Sequence, residues 1–368
     1  MMSVFQRMDV VLLLCLACLA ALGMATLYAA VHMGEIAVWH KQGMFWLLGI
    51  LAFLLMCFVP IRVVGLLTWP VYVLTIIALI LVPLVGDIQM GARRWLDLGV
   101  MRIQPSELMK WVLMFTLAYW FAMREASSLR HLGVAALCTM IPAALIVIQP
   151  DLGTALVLLL AAIAMILAAG FPWSWFIGLL IASPFAAYVM WQYMYDYQKT
   201  RVLSFLNPEL DPLGAGYHVI QSSIAIGSGG IFGKGYLEGS QSRLHFLPEQ
   251  HTDFIFAVFA EEGGLLATAL LFVLYAVLII RMLMIALHAH SRFAGLICIG
   301  VASIFTLYVF VNIGMVSGLL PVVGVPLPFM SYGGSALLTM LVAVGVVMRV
   351  AIESTDKVSW QRPGSPLC

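Results

Sequence analysis

Residues 248–280 read PEQHTDFIFAVFAEEGGLLATALLFVLYAVLII, a short polar segment followed by a long apolar one. The apolar part extends over residues 254–284. About 20 predominantly apolar residues are enough to cross the hydrocarbon core of a bilayer as a helix. This stretch therefore predicts a transmembrane helix whose polar entrance consists of His251, Thr252 and Asp253.

The composition of the whole chain agrees with a membrane protein. Of its 368 residues, 63% are hydrophobic and 10% are charged, and the mean hydropathy is +1.06. Soluble domains carry about 25% charged residues. The formal net charge of +1 gives no reason to expect a nucleic acid partner.

The six cysteines suggest neither a zinc site nor a disulfide. Their spacing matches no metal-binding motif, and no two lie together outside the apolar runs. We interpret them as small core residues. They are Cys15, Cys18, Cys57, Cys138, Cys298 and the terminal Cys368.

Ten apolar segments predict an all-α polytopic membrane protein with ten transmembrane helices. The first is interpreted as an uncleaved span rather than a signal peptide, because its apolar run continues past Cys18 to Val31. A large extracytoplasmic loop, residues 194–253, separates the seventh and eighth spans within one domain, residues 1–368. The segments are 9–31, 43–59, 63–86, 105–123, 132–149, 152–170, 172–193, 254–284, 293–317 and 334–352.

The orientation follows from the lysines and arginines. Nine lie on the side of the termini, eight lie on the opposite side, and Lys110 lies within a span. Seven of the eight fall in the polar segments 87–104 and 194–253, and long loops contribute little to the positive-inside rule. The short connections on that side hold only Lys41. We therefore predict that both termini are cytoplasmic.

Four spans that run inward begin with polar clusters. A helix N-terminus carries about half a positive charge and unpaired N–H groups. If the four ends converge, they form an outward-facing cavity suited to a phosphate or pyrophosphate. Cations predicted on the same side are Arg93, Arg94, Arg102, Arg201, Lys234 and Arg243. The clusters are residues 104–107, 149–154, 251–253 and 331–335.

Helix capping is the alternative explanation of these clusters. Asp253, Asp151 and Ser335 are good N-cap residues, and Pro105 suits a first helical turn. Capping does not explain Lys110, which lies within an apolar span at a cost of at least ~2.5–3.5 kcal/mol. Lys110 is three residues from Glu107, so both share one helix face. A charged pair within a membrane span is by default a functional hypothesis; a purely structural role is the alternative.

Glu261 and Glu262 lie about 12–13 Å beyond Asp253 along a helix with a rise of ~1.5 Å per residue. We predict a structural role, in which they bond neighbouring helices; a path for protons or ions is the alternative. The glycine-rich residues 214–239 do not match a P-loop, because Lys234 is followed by glycine. They predict a compact re-entrant or surface-lying loop.

Six motifs in order cover nearly the whole chain and resemble the SEDS (shape, elongation, division and sporulation) family, in particular its elongation branch. They are RWLDLG from Arg94, QPSE from Gln104, QPDLGT from Gln149, DPLGAGYH from Asp211, PEQHTDFIFAVFAEE from Pro248 and GMVSGLLPVVGVPLPFMSYGGS from Gly314.

The resemblance implies a peptidoglycan glycosyltransferase of the bacterial cytoplasmic membrane that polymerises lipid II during elongation and rod-shape maintenance. It implies that Asp253 is the catalytic carboxylate, as a general base or as the ligand of a divalent cation, magnesium or manganese. It also implies that Glu107 and Lys110 line the central cavity. Further substrate-binding candidates are Arg94, Asp151, Arg201, Lys234, His251 and Ser331.

The implied partner is a class B penicillin-binding protein, together with other proteins of the elongation complex. Two other functions remain open from the sequence. A flippase for lipid II would also have intramembrane charges. A scaffold that only recruits a cross-linking enzyme would need none of the carboxylates.

Overall fold

The computed structural model describes residues 4–32, 34–89, 92–97, 99, 102–126, 128–194, 199, 203, 215–240 and 249–355. After a short 3₁₀ turn, Val4–Arg7, the first part of the chain forms α1 (Val10–Val31), α2 (Ile36–Phe58), α3 (Ile61–Val85), α4 (Pro105–Met123), α5 (Leu129–Ile148), α6 (Leu152–Ala168) and α7 (Trp173–Tyr193). The second part forms α8 (Ala215–Ser228), α9 (Ile255–Leu287), α10 (Arg292–Val316) and α11 (Gly334–Thr355).

Each of the ten predicted apolar segments coincides with a helix, namely α1 to α7 and α9 to α11. Within the part of the chain that the structure describes, seven helices are long and apolar enough to cross a membrane: α1, α2, α3, α5, α9, α10 and α11. The α6 helix is apolar but has only 17 residues, and α4 carries Glu107 and Lys110. The fold is thus a helical membrane protein, while the number of ten crossings stays a prediction.

Helices α10 and α11 lie at the centre of the bundle. In their most apolar stretches 61% and 72% of the residues are buried, against 28% to 39% in the other candidate spans. Polar residues on these two helices are therefore shielded from lipid and face other helices. Tyr308 and Asn312, both fully buried on α10, are the examples that matter for the site.

A small antiparallel sheet connects α3 to α4, which the all-α prediction missed. Its strands are β1 (Asp87–Gln89), β2 (Ala92–Asp97) and β3 (Arg102–Ile103), in the order β1-β2-β3. Leu96 of β2 pairs with Ile103 of β3. Strands this short give almost no hydropathy signal, so a search for apolar runs does not find them.

The α9 helix is interrupted at Gly264, whose φ of 66° and ψ of −166° are not helical. Residues 229–240, which we call the inserted loop, hydrogen-bond to the backbone groups at the interruption. Lys234 N donates to Glu261 O at 3.0 Å, and Leu265 N donates to Gly230 O at 2.9 Å. Within a membrane such backbone groups need hydrogen-bond partners in the protein. The inserted loop supplies these partners where α9 is interrupted.

Gly264→Ala is expected to destabilise the protein. A methyl group at Gly264 would lie 2.2 Å from Gly233 N, and its backbone conformation is essentially restricted to glycine, at a cost of about 1–3 kcal/mol for other residues. The measurement is the thermal denaturation midpoint in detergent. The control is Gly133→Ala on α5, where nothing lies within 4 Å. Equal midpoints for the two variants would contradict the prediction.

Candidate active site at four converging helix ends

The structure brings the four polar clusters together, beginning with two direct hydrogen bonds. Gln104 Nε2 donates to Asp151 Oδ2 at 3.2 Å, which links the starts of α4 and α6. Tyr332 N donates to His251 O at 2.9 Å, which links the starts of α9 and α11. Burial raises the pKa of the Tyr332 phenol above its ordinary value.

The two linked pairs meet through residues 317–333, which we call the central segment and which joins α10 to α11. A methyl group at Gly153, at the start of α6, would lie 2.2 Å from Val323 O. One at Gly324 would lie 3.4 Å from Asp253 Oδ2. The central segment therefore contacts both α6 and Asp253, so the helix ends, whose convergence the sequence analysis had assumed, share one site.

Asp253 is partly exposed in the turn that precedes α9. The N-cap of α9 is Phe254, so the prediction of Asp253 as the N-cap was wrong. The buried Phe254 ring stacks on His218 with a centroid distance of 5.7 Å, which packs this turn against α8. An Asp253 carboxylate at this position faces the central segment and the polar end of the bundle.

The other capping predictions have mixed outcomes. Asp151 is the N-cap of α6 and accepts a hydrogen bond from Thr154 N at 3.2 Å. Pro105 occupies the first turn of α4, as predicted. Ser335 lies inside α11, which begins at Gly334, so it is not an N-cap.

Glu107 and Lys110 form a buried ion pair, as their spacing predicted. Lys110 Nζ lies 2.6 Å from Glu107 Oε1, with side chains 3% and 6% exposed. Tyr308 of α10 completes the cluster, because its hydroxyl donates to Glu107 Oε2 at 3.0 Å and contacts Lys110 Nζ. The pair is therefore locked between α4 and α10 rather than open to solvent.

Two residues of α10 near the site were not identified from the sequence. Tyr308 belongs to the ion-pair cluster, and Asn312 Nδ2 donates to Asp253 O at 2.9 Å. They are four residues apart, so they lie on one face of the helix. Their signal was present in the sequence as two hydrogen-bonding side chains at helical spacing within an apolar span.

Two further predicted substrate-binding residues, Arg94 and Ser331, form hydrogen bonds with backbone groups near the site. Arg94 Nε donates to Gln149 O at 3.2 Å, and Arg94 Nη2 donates to Pro150 O, at the turn that precedes α6. The buried Ser331 accepts a hydrogen bond from Leu327 N at 2.8 Å within the central segment. Arg201 lies outside the described residues.

His251 lies at the edge of the site and is partly exposed. Its Nδ1 is 3.8 Å from Glu35 Oε2, and its ring centroid is 5.9 Å from that of Tyr332. These contacts connect the turn before α9 to the start of α2 and to the start of α11. Its role towards a substrate stays a prediction.

Lys234 and the two deep acids hold the inserted loop. Lys234 Nζ lies 2.7 Å from Glu261 Oε1, which also accepts from Ser240 N at 2.8 Å. Glu262 Oε1 accepts from Leu237 N at 3.2 Å. Their predicted role was structural, which these contacts support, but the prediction that they bond neighbouring helices missed the loop. Lys234 as a pyrophosphate ligand stays a prediction.

Lys234→Met is expected to loosen the inserted loop, because the fully buried Glu261 carboxylate loses its cation. Glu261→Gln/Lys234→Met is expected to loosen it less, since the variant leaves neither charge of this pair without its partner. The measurement is the rate of limited proteolysis within residues 229–240. If Lys234→Met resists the protease as well as the wild type does, the ion pair does not hold the loop. Lipid II affinity of the double variant separately tests the predicted contact with pyrophosphate.

The described residues provide only a partial metal site at Asp253. Among them, no group of three or more His, Cys, Asp and Glu side chains lies together. A magnesium ion, however, often needs only one or two carboxylates, with water and substrate phosphates as its other ligands. The single Asp253 carboxylate therefore fits a cation that arrives with a phosphorylated substrate.

A cleft of about 370 Å³ lies at the opposite end of the bundle. It is lined by Gly170 after α6, Ala286 near the end of α9 and Arg292 at the start of α10. Asp253 and Asp151 precede α9 and α6, and Asn312 is near the end of α10. The cleft is therefore separate from the candidate active site.

Comparisons with known proteins agree along nearly the whole chain. A family model described as cell cycle protein, covering FtsW, RodA and SpoVE, matches residues 5–356. Peptidoglycan glycosyltransferase MrdB of Escherichia coli strain K12 is 46% identical over 306 residues, 82% of this chain and 82% of that protein.

Two solved structures share the fold. A chain of the structure described as "Structural coordination of polymerization and crosslinking by a peptidoglycan synthase complex" has a TM-score of 0.83 at 32% identity, covering 94% of this chain and 98% of that one. The rod shape determining protein RodA of Thermus thermophilus has a TM-score of 0.72 at 29% identity, covering 96% and 98%.

Proposed function

We propose that Asp253 is the catalytic carboxylate of this chain, which belongs to the cell cycle protein family of FtsW, RodA and SpoVE. The chain is a peptidoglycan glycosyltransferase of the elongation type. The observation that carries the proposal is the position of Asp253. It is a partly exposed acid where the starts of α4, α6, α9 and α11 converge.

The substrate of this reaction is lipid II, a disaccharide peptide linked to undecaprenyl pyrophosphate. The 4-hydroxyl of an acceptor GlcNAc attacks C1 of the MurNAc on a lipid-linked donor chain. A bond forms between that oxygen and C1, the bond from C1 to the pyrophosphate oxygen breaks, and undecaprenyl pyrophosphate leaves. Asp253, acting as general base, takes the hydroxyl proton as the bond forms.

Stabilisation of the leaving pyrophosphate is the second requirement. The positive ends of the converging helix dipoles suit that charge, and preorganised groups of this kind lower the barrier where charge develops. A magnesium or manganese ion held by Asp253 would supply the same charge neutralisation when bound. Arg94, Asp151, Arg201, Lys234, His251 and Ser331 are proposed to bind or position the substrate around this point.

The proposed topology has ten transmembrane helices in the cytoplasmic membrane, with both termini in the cytoplasm and residues 194–253 outside. The starts of α4, α6, α9 and α11 then lie at the outer face, where lipid II presents its sugars. The proposed partner is a class B penicillin-binding protein, with other elongation-complex proteins. Support comes from the similarity to a chain of a complex described as coordinating polymerization and crosslinking.

A lipid II flippase is the second candidate, favoured by the buried Glu107–Lys110 pair in α4. Ionisable residues within membrane spans are rare, and in transporters they mark the pathways of substrates, ions or protons. The test is to supply labelled lipid II to the purified protein with its partner, in vesicles. Glycan strands from the wild type and none from Asp253→Asn support the glycosyltransferase. Transbilayer movement without polymer supports the flippase. Partner binding with neither activity supports a scaffold.

A further inference from the structure

Asn312 joins the turn before α9 to the central segment. It is fully buried on α10, and its Nδ2 donates to Asp253 O at 2.9 Å and to Val325 O at 2.7 Å. One amide nitrogen has two hydrogens, so both are used. The two carbonyl acceptors fix the orientation of the amide. If the amide were flipped, its oxygen would take the place of the nitrogen and repel both carbonyl oxygens.

These two bonds hold the backbone from which the Asp253 carboxylate extends. Val325 follows Gly324, which lies against Asp253 Oδ2. The Asn312 side chain therefore fixes the distance between the backbone of Asp253 and the central segment, which the Asp253 carboxylate faces. A displacement of about 1 Å in reacting groups can cost about 10²-fold in rate.

The Asn312 amide carries a free-energy cost that an apolar side chain, sufficient for packing alone, would not have. Asn312 Oδ1 is buried without a hydrogen-bond partner among the described residues, and an unsatisfied buried polar group costs about 1–3 kcal/mol. A leucine would fill similar space without that cost. What only the amide provides is the pair of bonds to Asp253 and Val325.

The same helix face also reaches the buried ion pair. Tyr308, four residues before Asn312, donates a hydrogen bond to Glu107. Four residues correspond to a rise of about 6 Å along the helix. Helix α10 thus holds both the Glu107–Lys110 pair and Asp253. A shift of α10 would move the two together.

We propose that Asn312 is a positioning residue of the transfer reaction, which acts through Asp253 by fixing its turn against the central segment. This inference rests on the proposed catalytic role of Asp253. It assigns no contact between Asn312 and the substrate, because the side chain is fully buried.

The test measures lipid II polymerisation by the full-length protein with its partner, in wild type, Asn312→Ala and Asn312→Asp. The aspartate variant keeps the shape, but its side chain donates to neither carbonyl when ionised and to only one when protonated. We expect kcat to fall about 10–100-fold, with KM for lipid II within about twofold. The matched control is Ser303→Ala, which removes one hydrogen bond within the same helix, to Ile299 O, and is expected to keep wild-type kcat.

Hydrogen–deuterium exchange provides a second measurement that does not depend on activity. Faster exchange in Asn312→Ala confined to residues 249–258 and 318–330 supports the inference. Exchange that rises across the whole chain, with kcat and thermal stability falling together, would show a merely structural role and overturn it. Wild-type kcat in both Asn312 variants, with Asp253→Asn inactive, also overturns it. An active Asp253→Asn refutes the catalytic role instead.

Discussion

Asp253→Asn is expected to lower kcat for polymerisation by about 10²–10⁴-fold, the usual contribution of a general base. The amide has nearly the shape of the carboxylate but does not accept a proton at neutral pH. The bond from Asn312 goes to the backbone carbonyl of residue 253, so the substitution leaves this anchor in place. Lipid II affinity, partner binding and thermal stability should therefore remain close to wild type.

The matched control is Asp97→Asn, which makes the same change on an exposed carboxylate of β2. Its partner Arg102 is 3.3 Å away and is also exposed, and such surface pairs contribute little. Wild-type polymerisation by Asp97→Asn and none by Asp253→Asn would show that the loss of activity comes from the carboxylate at position 253 and not from the removal of any acidic side chain. Full polymerisation by Asp253→Asn would refute the catalytic assignment.

The same variant separates a base from a metal ligand. If Asp253 holds a magnesium or manganese ion, activity depends on the cation, and a residual Asp253→Asn activity needs a higher concentration of it. If Asp253 is a base, cation removal has little effect. The acid limb of the wild-type pH–rate profile would then disappear in the variant.

The positions of the helices were predictable because hydrophobic length dominates the sequence of a membrane protein. The pairing of Glu107 with Lys110 was predictable from a spacing of three residues on one helix. Both properties are local in sequence. Counting the spans suggested that the starts of four helices lie on the same side of the membrane. Contacts such as the hydrogen bond from Gln104 to Asp151 bring these helix starts together.

The remaining features depend on partners distant in sequence. Glu261 looked like a residue that bonds neighbouring helices, but it binds Lys234 and Ser240 of a loop inserted at the break in α9. The break itself needs both Gly264 and the loop, so no helical pattern reveals it. Asn312 is unremarkable until the fold places two backbone carbonyls beside it.

Breaking the Glu107–Lys110 pair is expected to produce the largest change in stability. Glu107→Gln leaves the Lys110 ammonium unpaired, and Lys110→Met leaves the Glu107 carboxylate unpaired, in side chains that are only 3% and 6% exposed. Removing one partner of a buried ion pair costs about 3–5 kcal/mol. Both single variants should therefore denature at clearly lower temperature in detergent.

The double variant Glu107→Gln/Lys110→Met distinguishes structure from function. Replacing both charges by neutral groups of similar volume is often neutral for stability, so we expect its denaturation midpoint to return towards wild type. If the pair binds lipid II or shapes its cavity, this folded variant still fails to polymerise. Tyr308→Phe, which removes only the hydroxyl bonded to Glu107, is the matched control and should lose less of both properties. A double variant that polymerises at the wild-type rate would instead show that the pair only holds α4 against α10.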